Sequence, residues 1–271
     1  MAEMIGDLVM LKTASYTENH EVSALAIVGE NDSRSHSFLT ADDINQLSRG
    51  RCVVRKLEAG VTLFDQGSHS DGVYVLLEGW AFCYKVLEDG RRQILDLVLP
   101  GGILGFNASE FAQHGVEAKT ECKFAVFKHQ VFTSILLQSP TLCLKCANLF
   151  AHAETRAFER LSRVGRLSAV ERVSGLIVEL VMRLHAVSES RTSVLKLMLT
   201  QAEVADMLGL AKETVCRALM SLRRAGLVHL EGKVLDILDF DGLLEAAGDE
   251  SEDYYDERFT HSQIAFARIA A

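Results

Sequence analysis

Glu213 and Arg217 lie four residues apart in a segment whose apolar residues have helical spacing. Residues four apart on a helix project side by side from one face. An arginine can donate one hydrogen bond to O6 and another to N7 of the same guanine, and a carboxylate can accept a hydrogen bond from N4 of cytosine. Without context, such a pair is most often a solvated ion pair on a helix surface. The flanking residues decide between the two interpretations.

The sequence around this pair predicts two short helices joined by a tight turn. Thr200 and Glu203 form a capping-box pattern, which marks the start of a first helix. Gly209 can adopt the left-handed conformation that ends this helix, and a second helix begins directly afterwards. The positions expected to face inward are Val204, Ala205, Leu208, Val215, Ala218, Leu219 and Leu222. This is a helix-turn-helix pattern, in which the second helix enters the major groove of DNA.

A β-hairpin is predicted directly after the second helix. Residues 227–230 and 234–238 are short, mostly apolar runs on either side of Glu231, Gly232 and Lys233. Two such runs around a glycine-containing turn are typical of paired strands. The hairpin would be the wing of a winged helix.

Four further residues are expected to contact the DNA backbone. They are Thr200, Gln201, Lys212 and Thr214. Residues 211–224 contain four basic residues and one acidic residue, within a chain whose net charge is −9. Contact with phosphate requires such a local excess of positive charge. The acidic character of the whole chain therefore does not exclude double-stranded DNA as a partner.

Short runs of Val, Leu, Ile and Phe alternate with glycine-containing turns over residues 52–127. This pattern indicates a β-barrel or sandwich-like domain, in which Asp89 and Gly90 form a hairpin turn. A long helix then begins at Ser139 and Pro140, because proline is tolerated in the first helical turn.

Seven positions on this long helix are spaced alternately by four and three residues. They are Cys143, Ala147, Phe150, Glu154, Ala157, Leu161 and Val164. A heptad-like spacing predicts a seam against a second helix. The alternative is that the helix packs only on its own β-domain through Leu142, Cys146, Leu149 and Ala153. Since both faces are small or apolar, we expect the helix to lie between its own domain and a second copy in a homodimer.

Length and composition are typical of a globular protein. The chain has 271 residues, of which 48% are hydrophobic, enough for two domains. No run approaches the roughly 18 apolar residues of a membrane helix, so we expect a cytoplasmic protein without membrane contact. The six scattered cysteines lack a disulfide-framework pattern and should be reduced there. Neither a metal-ligand spacing nor a catalytic constellation is evident, so an enzyme is not expected.

The chain from about residue 38 to 243 resembles the CRP/FNR superfamily of bacterial transcription regulators. The resemblance rests on residues 57–67, residues 73–79 and the run Glu213-Thr214-Val215-Cys216-Arg217. It implies an α+β fold with a β-roll like that of cyclic-nucleotide-binding domains, a double-stranded β-helix, at 38–139. A dimerisation helix at 140–165 and a winged helix-turn-helix at 166–243 follow. Residues 1–37 would be an extension and 244–271 an acidic tail.

The resemblance also implies partners and site roles. Glu213 and Arg217 would contact bases of a half-site containing TGA, and a homodimer would bind a palindromic TTGA-type site. RNA polymerase is a further partner implied by the family. We expect an activator of transcription.

Three departures limit what the family implies. Cyclic-nucleotide-binding members have Gly-Glu where this chain has Gly105 and Phe106, and no arginine lies near residues 112–113 to pair with a cyclic phosphate. No cysteine precedes Cys52, which excludes the iron-sulfur arrangement of FNR. No cofactor is therefore expected, and residues 102–108 resemble the FNR/FixK side of the family. Ala211 cannot cap the second helix, a loss of about 1 kcal/mol.

Two sensing hypotheses remain open. Cys216 precedes the base-reading arginine, and its oxidation would add bulk or charge facing phosphate. The alternative is that Cys216 simply replaces a small residue. A ligand- or haem-responsive regulator of the same fold would use Phe106, Asn107 and His114 to line a pocket. From another class, a β-roll sensor or scaffold would act on a protein partner without touching DNA.

Overall fold

The structure is a computed structural model that describes residues 52–69, 72–106, 110–185 and 194–248. The predicted extension at 1–37, a short helix expected at 38–47 and most of the acidic tail lie outside the described residues. Asn107 lies outside them as well.

The N-terminal domain consists of two four-stranded antiparallel sheets. Its strands are β1 (Val53–Leu57), β2 (Thr62–Phe64), β3 (Val73–Glu78), β4 (Ala81–Val86), β5 (Arg92–Val98), β6 (Ile103–Leu104), β7 (Gly115–Ala118) and β8 (Cys122–Phe127). The strand orders are β1-β8-β3-β6 and β2-β7-β4-β5. Buried residues of both sheets, such as Leu76, Phe124 and Val116, form a common core. The glycine-punctuated pattern is confirmed as a two-sheet β-domain.

Two turns explain why glycine recurs in this domain. Gly90 has a φ of +82° in the β4–β5 hairpin, where Val86 pairs with Arg92. Gly79 has a φ of +88°, and a Cβ atom there would collide with the carbonyl oxygen of Glu121. Only glycine fits at residue 79, because both the positive φ and the lack of space exclude a side chain.

Six helices are described. They are α1 (His129–Gln138), α2 (Pro140–Arg166), α3 (Ala169–His185), α4 (Gln201–Leu208), α5 (Lys212–Arg224) and α6 (Phe240–Ala247). The Ser139 side chain accepts a hydrogen bond from the backbone of Leu142, which caps α2 ahead of Pro140. In the described part of the chain, no helix is both long and apolar enough to cross a membrane.

A three-stranded sheet completes the C-terminal domain, in the order β10 (Val228–Glu231), β11 (Val234–Ile237) and β9 (Val194–Lys196). The first two strands are the predicted wing, whereas the third was not predicted. Helix α6 continues past the expected domain boundary at residue 243, because Leu243 and Ala247 are buried beside α3. The expected start of the tail at residue 244 therefore falls within a helix.

The β-domain and the C-terminal domain share one hydrophobic cluster. Phe82, Ile94 and Leu97 of the β4–β5 hairpin belong to the same buried cluster as Leu176 and Met207 of the C-terminal domain. Helix α4 also contacts β5 directly. The two predicted domains are thus packed together through apolar side chains.

A group of charges around the buried Glu179 also joins the two domains. Nη2 of Arg160 lies 2.7 Å from Oδ1 of Asp96 and 2.8 Å from Oε1 of Glu179, which joins α2, β5 and α3. Arg183 adds a contact of 3.0 Å to Glu179. Burial alone would raise the pKa of both carboxyl groups, but the guanidinium groups outweigh it and hold each pKa below its usual range.

Candidate DNA-binding site

The helix-turn-helix has the predicted local geometry. Thr200 Oγ1 accepts from the backbone N–H of Glu203 at 3.2 Å, and Glu203 Oε2 accepts from the N–H of Thr200 at 2.7 Å. Gly209 ends α4 with a φ of +62°, and Leu210 donates its N–H to the Ala205 carbonyl at 2.9 Å. The capping box and the left-handed turn are both confirmed.

Helix α5 places its apolar and polar residues on opposite sides. Val215, Ala218 and Leu222 are buried, whereas Glu213 and Arg217 are exposed. Leu219, predicted to face inward, is half-buried. The structure therefore presents the two candidate base-reading side chains to solvent on one helix.

Arg217 is oriented by its own helix. Its Nη2 donates to Thr214 Oγ1 at 3.2 Å, and within the described structure no ion pair joins it to Glu213. This geometry differs from the solvated ion pair that four-residue spacing alone would suggest. Thr214, expected to contact the DNA backbone, acts in the structure as the acceptor that restrains Arg217.

The first turn of α5 has no side-chain cap. Ala211 precedes the helix and offers no side-chain acceptor, as the sequence indicated, although its carbonyl oxygen accepts from the N–H groups of Thr214 and Val215. Lys212 is the first helical residue and is exposed. The backbone N–H groups of Lys212 and Glu213, together with the ammonium group of Lys212, can therefore meet an anion such as phosphate.

Gln201 and Cys216 are brought together across the motif. The Cys216 thiol donates to Oε1 of Gln201 at 3.0 Å, and both side chains are partly buried. Since this oxygen is occupied, the amide nitrogen of Gln201 is the end left for another acceptor. Thr200 is exposed, with its hydroxyl already used in the capping box.

The helix-turn-helix contacts the β-domain through pairs that no sequence pattern predicts. Lys119 Nζ lies 2.6 Å from Oε1 of Glu203, and Asp206 accepts the Ile94 N–H at 3.1 Å. Gln93 also donates to the carbonyl of Asp206. Burial alone would raise the pKa of Glu203, but hydrogen bonds from Lys119 and Thr200 outweigh it and lower the pKa. No local pattern could have revealed pairs 84 and 112 residues apart.

The predicted seam of α2 is largely exposed. Exposed members are Cys143, Ala147, Glu154, Ala157, Leu161 and Val164. Phe150 differs, since it is half-buried and stacks on Phe106 with ring centroids 5.7 Å apart. Leu142 and Cys146 are buried on the opposite side, as predicted. Leu144 and Phe158 are also exposed and widen the apolar face. Each directly follows a seam residue, Cys143 or Ala157, and this spacing is a sequence signal that identifies them.

The residues of the ligand hypothesis lie in different surroundings. Phe106 packs on Phe132 and Phe150, whereas His114 lies beside Phe64. Burial lowers the pKa of His114, and its Nε2 has no hydrogen-bond partner. Among the described residues, no cluster of His, Cys, Asp or Glu could hold a metal ion.

A two-sheet β-domain, a long helix with an exposed apolar face and a winged helix-turn-helix define a class of DNA-binding transcription regulators. The cyclic nucleotide-binding domain model matches residues 54–139, and the Crp-like helix-turn-helix domain model matches residues 171–246. The chain belongs to the CRP/FNR family, on its FNR/FixK branch.

Relatives and solved structures agree with this placement. The transcriptional activator protein FnrL of Cereibacter sphaeroides is 32% identical over 203 residues, which are 73% of this chain and 82% of FnrL. The nitrogen fixation regulation protein FixK of Azorhizobium caulinodans is 33% identical over 169 residues, 62% of this chain and 68% of FixK. The structure of FixK2 from Bradyrhizobium japonicum shares the fold, with a TM-score of 0.65 and 23% identity over 72% of this chain and 96% of that one.

Proposed function

We propose that the chain is a homodimeric activator of transcription that binds a palindromic TTGA-type site. The observation that carries the proposal is the exposed pair Glu213 and Arg217 on α5, with Arg217 restrained by Thr214. A restrained guanidinium loses less conformational entropy when it bonds guanine, so its orientation favours base reading. The match to a Crp-like helix-turn-helix favours DNA over the alternative of a scaffold for a protein partner.

Phosphate contacts would come from the residues around the two helix starts. Lys212 and the uncapped first turn of α5 offer a positive charge and free N–H groups. The Gln201 amide nitrogen, turned away from Cys216, is a donor beside them. Thr200 and Thr214 have side chains committed to internal hydrogen bonds, so we propose smaller contributions from both.

The exposed face of α2 would pair with the same face of a second copy. Leu161 is 70% exposed and Phe158 is 60% exposed, which is costly for apolar side chains unless they are covered. Two-fold pairing of the long helices would place two recognition helices on successive half-sites of one duplex. The relative FnrL is named a transcriptional activator, which supports activation, with RNA polymerase as the further partner.

Oxidation of Cys216 would weaken DNA binding. Peroxide converts a thiol to a sulfenic acid and water, which removes the S–H donor to Gln201 and adds an oxygen atom beside the phosphate contacts. Peroxide should therefore weaken operator binding by the native chain but not by Cys216→Ser. An equal loss in both would exclude Cys216 as the site of control.

Selection of preferred duplexes from random DNA, with and without peroxide, tests the proposal directly. A two-fold symmetric consensus with TTGA half-sites supports it, and selection without any enriched sequence contradicts it. Native mass measurement of the selected complex then gives the number of chains per duplex.

A further inference from the structure

A cavity of about 300 Å³ lies inside the winged-helix domain, between α3, α4, α5 and the wing. Its walls are mostly apolar, with Leu176, Ile177, Leu180, Val204, Leu219 and Leu230 among them. Apolar cavities of about 150 Å³ remain dry and bind small apolar molecules. A cavity of twice that volume reaches the lower end of the range of ligand sites.

The polar residues of this cavity mark its open end. Thr200 and Lys233 are exposed and Gln201 is half-buried, whereas most of the wall residues are buried. The start of α4 is already capped by Glu203, so the Lys233 ammonium group is the charge that favours an anion at this opening. The nearest carboxylate of that helix start, Glu203, is held by Lys119 and Thr200. The charge at the opening therefore complements an anionic head group.

We propose that this cavity binds a small amphiphilic anion of the medium-chain carboxylate class. The hydrocarbon tail would occupy the apolar interior, and the carboxylate would bond Lys233 and the amide nitrogen of Gln201. Burial of each added methylene should tighten binding about fourfold until the cavity is full. Acetate, which has no tail, should not bind measurably.

Occupancy of the cavity would oppose DNA binding, an inference that rests on the proposed function. Gln201 is both a cavity residue and a proposed phosphate contact. A carboxylate held there would engage the donor that phosphate requires and would add negative charge to the DNA-facing surface. A medium-chain carboxylate should therefore lower the affinity for a duplex.

Calorimetric titration of the full chain with octanoate, in the absence of DNA, tests the site itself. We expect saturable binding of octanoate, weaker binding of 1-octanol, which lacks the charge, and none of acetate. Val173→Phe and Ile177→Phe each fill the cavity from α3 and should each reduce octanoate affinity at least tenfold. Lys233→Gln should weaken octanoate binding but leave 1-octanol binding unchanged, and Lys128→Gln, which removes a charge outside the cavity lining, should change neither.

The absence of saturable octanoate binding would overturn the proposal, as would unchanged affinity in both folded cavity-filling variants. Binding to the duplex is measured in a separate experiment. Failure to bind any DNA would contradict the proposed function, but the octanoate titration, which contains no DNA, would still test the cavity. Octanoate that binds without lowering duplex affinity would overturn the antagonism.

Discussion

The Nζ atom of Lys119 lies 2.6 Å from Oε1 of Glu203, which ties the turn after β7 to the capping box of α4. Glu203 thus closes the first turn of the helix-turn-helix and holds the β-domain with the same carboxylate. The side chains are each 18% exposed, so solvent screens the pair only in part.

Removal of this contact should destabilise the chain modestly. Lys119→Met leaves Glu203 with its Thr200 partner, so we expect a loss of about 1 kcal/mol in the free energy of unfolding. Urea denaturation measures the change. Lys123→Met is the matched control, because Lys123 pairs with the more exposed Glu78 and should lose less. Equal losses in both variants would show that the contact to α4 adds no stability.

Substitution of Arg217 should alter sequence preference. Arg217→Ala is expected to cost about 1–3 kcal/mol of binding free energy and to relax specificity at one guanine. Lys212→Ala should instead weaken binding similarly for all sequences and reduce the salt dependence by about one counterion. Competition binding with single-base variants of the selected duplex, repeated over salt concentration, distinguishes the two. Unaltered preference in Arg217→Ala would refute its role as a base reader.

Loss of the Thr214 hydroxyl should weaken the same base contact. Thr214→Val removes the acceptor that orients Arg217, with an expected cost of about 1 kcal/mol in duplex affinity. Thr214→Ser keeps an acceptor and should restore most of the affinity. Fluorescence anisotropy with the preferred duplex measures both variants. Equal affinity of the valine and serine variants would exclude the orienting role.

A charge on the exposed face of α2 should separate two copies. Leu161→Glu places carboxylates in the proposed seam, where burial without a partner is costly, and should shift the chain toward monomer. Leu137→Glu is the control, since Leu137 is 80% exposed on α1 and lies outside the seam. Sedimentation equilibrium reports the masses. A dimer in both variants would place the interface elsewhere.

Acid should weaken the junction between the domains. The folded-state pKa values of Asp96 and Glu179 lie below their unfolded values, so their contribution is complete at neutral pH and is lost as pH falls below about 4. Asp96→Asn should cost roughly 3 kcal/mol at pH 7 and flatten the acid dependence of stability. Asp89→Asn, in an exposed pair with Arg91, should leave the acid dependence nearly intact. Chemical denaturation between pH 7 and 3 provides the comparison.

Local chemistry explains which parts of the site were predictable. The capping box at Thr200 and the left-handed turn at Gly209 depend on neighbouring backbone groups, so a few residues suffice to specify them. The buried positions of α5 follow from helical periodicity. Strand β9 was missed because it contributes only three residues, and its pairing with β11 depends on a partner distant in sequence.

The remaining features depend on packing between distant segments. The spacing predicts that Phe150 lies in the seam, but the structure shows its ring stacked on Phe106, a contact that spacing cannot indicate. The same holds for Asp96, whose arginine partners lie on α2 and α3. Such contacts require the tertiary arrangement, since no local periodicity encodes them.

The hydrophobic cluster shared by Phe82, Ile94, Leu97 and the C-terminal helices makes the predicted boundary at residue 166 a division of sequence but not of packing. Cutting the chain there would expose apolar surface on both fragments. We therefore expect that the winged helix is not stable when it is separated from the β-domain. The β4–β5 hairpin supplies part of the apolar surface on which the C-terminal domain packs. A change in the shape of this hairpin would therefore act on α4 by direct contact.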